Sequence, residues 1–266
     1  MDGTFNLGDR LLDGSLYFID TLNQLGLDYV FLTNNSSKHR GHYTEKIARL
    51  GLAIPEDKVF TSGEATALYL KREYPKAKVY VVGTPALEDE FRQHGFQLSD
   101  ENPELIVLGF DTTLTYQKLW KLCDFVRAGL PYIATHPDFN CPTETGFMPD
   151  TGAMIAFVHA STGRKPDLVI GKPNRMIVDA VLQKYGYAIE EMAMIGDRLY
   201  TDIALGQTSG ITTCLVLSGE TQQEDLVDSQ FQPDYIFPDL GAIADWLLVN
   251  AKSSNKKDTK STKEKT

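Results

Sequence analysis

Four short segments carry side chains able to handle a phosphoryl group. Asp2-Gly3-Thr4 sets a carboxylate in a turn-forming context. Thr33-Asn34-Asn35-Ser36-Ser37 offers hydroxyls, amides and backbone N–H groups ahead of a helical stretch, a cradle for anionic oxygens. Asn and Ser equally suit a plain helix cap there. Gly171-Lys172-Pro173-Asn174 combines a residue that permits close backbone approach, a point charge for phosphate and a proline suited to the first turn of the next helix. The alternative is a surface lysine in a turn. Gly196-Asp197 through Thr201-Asp202 supplies two carboxylates five residues apart, hard oxygen donors of the kind Mg²⁺ takes, although Asp197 or Thr201 could also cap a helix. Each segment alone is ambiguous. The set supplies a carboxylate, a hydroxyl, an ammonium and an acidic pair, and that combination is far more specific.

The elements around these segments place them alike. Apolar, β-rich runs occur at 29–32, 78–82, 105–108, 132–134, 168–170, 193–195 and 213–217. They are near-continuous and not alternating, which predicts strands buried on both faces of a parallel sheet. Helical patterns lie between them. Leu16, Ile19, Leu22 and Leu25 fall on one face before Gly26, and a second helix follows Pro173 through Met176, Ile177, Ala180, Val181 and Lys184 to Gly186. The alternation predicts a doubly wound α/β fold with right-handed crossovers. In such sheets ligands bind beyond the carboxyl ends of the strands. Three of the segments directly follow a strand, and Asp2 lies where one should end.

Bulk properties narrow the function class. The chain has 266 residues, 42% hydrophobic, which is ample for a large core. A formal net charge of −10 argues against nucleic acid or an anionic membrane as partner, while leaving room for a locally positive phosphate pocket. Cys123, Cys141 and Cys214 form no C-x-x-C pair, so neither a disulfide framework nor a zinc site is expected, and a reducing cytoplasm fits. No run reaches membrane-helix length, and Met1-Asp2-Gly3-Thr4 lacks the start of a signal peptide. The tail 251–266 carries six lysines and no aromatic residue, and is expected to be disordered.

The four segments, in this order, resemble the four motifs of the haloacid dehalogenase (HAD) superfamily. Its first motif is an apolar strand followed by Asp-x-Asp-Gly-Thr; Asp2-Gly3-Thr4 matches the last three positions and Met1 stands at x. Thr33 matches the second motif, Lys172 the third, and Asp197 with Asp202 the fourth. The forms Thr33-Asn34-Asn35-Ser36, Gly171-Lys172-Pro173 and Gly196-Asp197 with Thr201-Asp202 are similar to the NagD/4-nitrophenylphosphatase branch, across roughly residues 1–250. The resemblance implies a Rossmann-like core over 1–77 and 166–250 with an α/β cap inserted over 78–165. The long gap between the second and third motifs also points to such an insertion.

The chemistry that the resemblance implies is that of a Mg²⁺-dependent phosphatase acting on small phosphorylated metabolites through an aspartyl-phosphate intermediate. Asp2 is the general acid and then the base. Thr33, Asn34 and Asn35 hold phosphate oxygens and Lys172 offsets their charge. Asp197 and the Asp2 carbonyl ligate Mg²⁺, and Asp202 steadies Lys172 or a metal-bound water. The stretch 134–152 resembles the cap segment facing the active site, so His136 and Asp138 are candidate substrate contacts; His136 is equally suited to a structural role. Cap-mediated homodimers are common among relatives. The family's attacking aspartate falls two residues before Asp2, ahead of Met1, together with its supporting strand. The expectation is therefore a truncated chain or a misassigned start, lacking the first core strand and without turnover of its own, from a protein that begins about ten residues earlier. A phospholigand-binding pseudoenzyme is the alternative. A dehalogenase needs no metal, which leaves the acidic pair unused, and phosphomutases carry smaller helical caps.

Overall fold

The computed structural model describes residues 1–143 and 145–261. The chain opens with a small antiparallel pair, Asn6–Leu7 (β1) and Arg10–Leu11 (β2), and then helix Ser15–Leu25 (α1). Next come Phe31–Thr33 (β3), Arg40–Arg49 (α2), Val59–Thr61 (β4) and Ser62–Glu73 (α3). Beyond them lie Lys78–Val82 (β5), Pro85–Gln93 (α4), Gln97–Leu98 (β6), Leu105–Leu108 (β7), Tyr116–Arg127 (α5) and Tyr132–Ala134 (β8). A hairpin, Asn140–Thr143 (β9) and Gly146–Pro149 (β10), leads into Thr151–Thr162 (α6) and Leu168–Val169 (β11). The chain returns through Met176–Tyr185 (α7), Ala193–Gly196 (β12), Ala204–Ser209 (α8), Thr212–Val216 (β13), Tyr235–Phe237 (β14) and Leu240–Ser261 (α9).

Every strand pairing outside the two hairpins is parallel. One sheet has the order β11-β8-β7-β5-β6; β3-β4 and β12-β13-β14 form two others. The long crossovers between parallel neighbours carry helices, as an α/β fold requires. All four residues of β7 are buried, which is why its sequence shows no alternation. A shared core joins Phe60 and Leu70 with Val79, Val81 and Phe91 from the segment after α3, and with Ile170, Ile177 and Val181 near α7.

Local details depart from the periodicity in instructive ways. In α1 the buried stripe is Ser15, Phe18, Ile19 and Leu22, and it turns Leu16 outward. The helix ends at Gly26 with φ 67°, a left-handed cap, as α7 does at Gly186 with φ 75°. Helix α7 begins at Met176, so Pro173 lies in the turn ahead of it, behind a cis peptide to Lys172, and not in its first turn. Helix α2 begins only at Arg40, so residues 34–39 form a loop and present no helix end to a ligand. Helix α9 takes in the first part of the lysine-rich tail; residues 262–266 lie outside the described residues. No helix among the described residues is long and apolar enough to cross a membrane.

An apolar cavity of about 470 Å³ lies between β3 and β12. Val30, Phe31 and Leu32 line one side, Ala193, Met194 and Ile195 the other, with Phe18 and Ile243 against it. Each of the two strands has a single paired neighbour, β4 for β3 and β13 for β12.

Candidate active site

Asp197 comes directly after the last residue of β12 and is buried. Its Oδ1 accepts the Thr4 hydroxyl at 3.0 Å and its Oδ2 the Glu220 backbone N–H at 3.0 Å. Two glycines let main chain reach it. A Cβ on Gly3, which has φ 81°, would stand 2.1 Å from Asp197 Oδ2, and one on Gly219 would stand 2.2 Å from it. Asp202 lies in a π-helical turn, Leu199–Ile203, that carries the chain from β12 into α8. There its Oδ1 accepts from Lys172 Nζ at 2.6 Å.

The two carboxylates differ electrostatically. Burial, and then the neighbouring charge of Asp202, push the Asp197 carboxyl above its ordinary range. Burial pushes Asp202 the same way, but the adjacent charges, the Lys172 ammonium foremost, outweigh it and hold the carboxyl below its ordinary range. The Met1 α-amino group is buried near Lys172, Asp202, Asp197 and Asp2, and burial lowers it from the ordinary amine value.

Asn34 stitches the loop after β3 to both other segments. Its Nδ2 donates to Asp138 Oδ1 at 3.1 Å and to the Lys172 carbonyl at 3.0 Å, and its Oδ1 accepts the Lys172 N–H at 2.8 Å. The close approach needs Gly171, where a Cβ would lie 2.7 Å from Asn34 Oδ1. The Thr33 hydroxyl accepts the Asn35 N–H at 3.2 Å and is hydrogen-bonded to the Tyr43 hydroxyl. The Asn35 Oδ1 accepts the Ser37 N–H at 2.9 Å and its hydroxyl at 2.7 Å, while Nδ2 donates to Cys141 Sγ at 3.9 Å.

These contacts bring Asp2, Thr33, Asn34, Asn35, Asp138, Lys172, Asp197 and Asp202 around one polar cavity of about 100 Å³. The Asp2 carboxylate is more than half exposed and accepts from Asn6 Nδ2 at 2.7 Å. His136 is not among the lining residues. It is fully buried, with Nε2 at 2.9 Å from Asp150 Oδ1 and Nδ1 at 2.9 Å from the Thr135 hydroxyl. A larger recess of about 960 Å³ shares Asp2, Asp138 and Asp197 with the first and extends to Phe139, Phe147 and Tyr200.

A divalent cation suits this cavity. Asp197 is a buried carboxylate without a cationic side-chain partner among the described residues, raised by burial and by a like charge, and its surroundings offer oxygen donors. The carboxylates of Asp2, Asp197 and Asp202 do not converge within 4.8 Å as a three-way cluster among the described residues.

Two family models match the chain, both described as haloacid dehalogenase-like hydrolases, over residues 1–97 and 169–243. An acid sugar phosphatase of Staphylococcus epidermidis is 38% identical over 92% of this chain and 95% of its own. The 5'-nucleotidase YutF of Bacillus subtilis is 31% identical over 93% of this chain and 95% of its own. A solved 4-nitrophenylphosphatase from Thermotoga maritima superimposes with a TM-score of 0.90 at 48% identity, covering 92% of this chain and 94% of that one.

The chain belongs to the haloacid dehalogenase-like hydrolases. It falls in their NagD-like branch, whose Escherichia coli member has a TM-score of 0.85 at 34% identity, and it is a phosphoric monoester hydrolase by family. Sequence reasoning about this HAD hydrolase missed the pieces that hold Asp197. Thr4 stood inside the first motif and was given no role. The Glu220 N–H lies just past β13, and inspecting the residues beyond every strand end would have found it. Asp150 lies in the 134–152 stretch that resembles the cap segment facing the active site, and it lines the cavity and pairs with His136.

Proposed function

We propose that this protein hydrolyses small phosphate monoesters, with sugar phosphates, nucleotides and 4-nitrophenyl phosphate as the substrate class and Mg²⁺ as cofactor. The single observation that carries the reading is the convergence of Lys172, Asp197, Thr33 and Asn34 on one polar cavity beside strand ends. The names of the relatives support the same class.

In this reading the Lys172 ammonium, held by Asp202, faces the phosphoryl oxygens. The Thr33 hydroxyl and the Asn34 backbone N–H donate to them. Asp2 gives a proton to the leaving oxygen and then takes one from water. Asp197 and the Asp2 carbonyl would hold Mg²⁺, which would supply positive charge to offset the repulsion of phosphate and carboxylate. The recess beside Phe139, Phe147 and Tyr200 takes the leaving group.

The attacking carboxylate implied by the family pattern belongs immediately ahead of Met1, beside the cluster that buries the Met1 amino group. Its supporting strand would fill the apolar cavity between β3 and β12, whose facing edges are unpaired among the described residues.

The deciding assay uses a chain lengthened at its amino end by an apolar strand closing on Asp just before Met1, tested on a phosphate-ester panel with Mg²⁺ and with a chelator. Turnover that needs the added Asp and the metal is the expected result. Metal-independent turnover, or ester binding with no turnover by the lengthened chain, would overturn the reading.

A further inference from the structure

A second cluster of metal-ligating groups lies away from the active site, between α3 and α4. One carboxylate oxygen of Glu64, one of Glu90 and a ring nitrogen of His94 all lie within 4.8 Å of one another. Glu64 stands in the first turn of α3, where its N–H is capped by the Thr61 hydroxyl at 3.0 Å. Glu90 and His94 are one turn apart on the last part of α4 and its cap, with His94 Nε2 at 3.0 Å from Glu90 Oε1. Both glutamates are buried, at 3% and 5% exposure.

The two oxygens of Glu64 are unequal. Oε1 accepts from Lys184 Nζ at 2.7 Å and lies 3.5 Å from Arg40. Oε2 is buried with no hydrogen-bond partner among the described residues. A buried carboxylate oxygen left without a donor keeps its full desolvation cost. Glu90 has no cationic partner among the described residues apart from the charge His94 can supply by protonation. The cluster therefore has an acceptor to spare in Glu64 Oε2, and both of its cationic partners, Lys184 and Arg40, sit on Oε1.

We propose that Glu64, Glu90 and His94 bind a divalent transition-metal ion, with Zn²⁺ as the fitting case, and that the ion ties α3 to α4. Two carboxylates and one imidazole make a ligand set that zinc accepts, with a fourth position for water. Zinc bonds of about 2.0–2.2 Å put tetrahedral ligands about 3.4 Å apart. The existing spacing reaches that by small side-chain movements, with the ion replacing the hydrogen bond between His94 and Glu90. An imidazole ligand favours zinc over Mg²⁺. Because α3 comes after β4 and α4 after β5, the ion would join helices belonging to two different sheets.

The test is equilibrium dialysis of the full chain against Zn²⁺ with Mg²⁺ in large excess, so that the active site is filled. One zinc per chain should be retained, with a higher melting temperature in zinc than without it. His94→Gln and Glu90→Gln, which keep shape and hydrogen-bonding capacity, should each lose the zinc and the thermal shift while melting cooperatively. Lys165→Gln, a substitution away from the cluster, should keep both. No retained zinc in the parent chain, or the same retained zinc in His94→Gln, would overturn the proposal.

Discussion

Lys172 and Asp202 form a 2.6 Å ion pair whose side chains are 9% and 6% exposed, although thirty residues separate them. Replacing Lys172 by Met leaves a buried carboxylate without its cation. The expected cost is about 3–5 kcal/mol of unfolding free energy at neutral pH. Urea unfolding of the two proteins measures it. The pH dependence has a definite sign. Asp202 is held below its ordinary value in the folded protein, so its contribution is present above the unfolded carboxyl pKa of about 4 and is lost as pH falls through the lower folded value. Without Lys172, burial raises that carboxyl and protonation relieves the variant. The stability gap should begin to narrow above about pH 4, as the raised carboxyl of the variant takes up its proton, and narrow further below that pH as the parent loses its contribution; a gap that widens in acid would refute the account.

Gly219→Ala should disturb the cavity through Asp197 alone. The new Cβ would stand 2.2 Å from Oδ2 and 2.5 Å from Cγ, so the carboxylate must move. Overpacking of this kind costs about 1–3 kcal/mol. The chain should melt lower and need more Mg²⁺ to reach the same thermal stabilisation. An unchanged Mg²⁺ midpoint would show that Asp197 is not a ligand.

His136 and Asp138, both candidate substrate contacts by sequence, should separate by experiment. His136→Ala removes one of the partners of the buried Asp150 carboxylate, which keeps the Thr151 N–H and hydroxyl, and should cost about 1–3 kcal/mol, read by chemical denaturation. Asp138→Ala removes an acceptor for Asn34 at the cavity wall. Loss of a bond worth about 1 kcal/mol predicts a roughly fivefold weaker affinity for a phosphate ester, with little change in melting temperature. Titration of the ester by calorimetry checks the second; equal effects on stability and affinity from both variants would merge their roles.

Cys141 lines the polar cavity, yet it should alkylate slowly. Burial, and after it the charges of Asp150 and Asp2, push its thiol up to about 11. The thiolate is the reactive form, and about one molecule in a thousand carries it at pH 8. Iodoacetamide labelling of the Cys141 peptide, read by mass spectrometry, should accelerate about tenfold per pH unit toward pH 11. Rapid labelling at pH 7 would contradict the buried environment.

Much of the architecture could be read from local pattern. Runs such as Leu105-Ile106-Val107-Leu108 announce two-sided burial because a strand covered on both faces has no polar side to show. The motif residues Thr33, Lys172 and Asp197 were legible because each lies at or just past a strand end, and strand ends in a parallel sheet converge on one rim. Element edges were less legible. Leu16 fits the helical spacing of α1 as well as Phe18 does, and only packing decides which faces inward.

The sequence by itself determined the chemistry available: which carboxylates, hydroxyls and ammonium groups exist, and that their order along the chain matches the HAD pattern. Tertiary structure alone decided how they are spent. It gave Asp202 to Lys172, turned His136 away from the cavity onto Asp150, and held Asp197 between Thr4 and the Glu220 N–H. The physical reason is that burial and hydrogen-bond pairing depend on groups more than a hundred residues apart, as Asn34 and Lys172 are, and no local spacing encodes which of them meet.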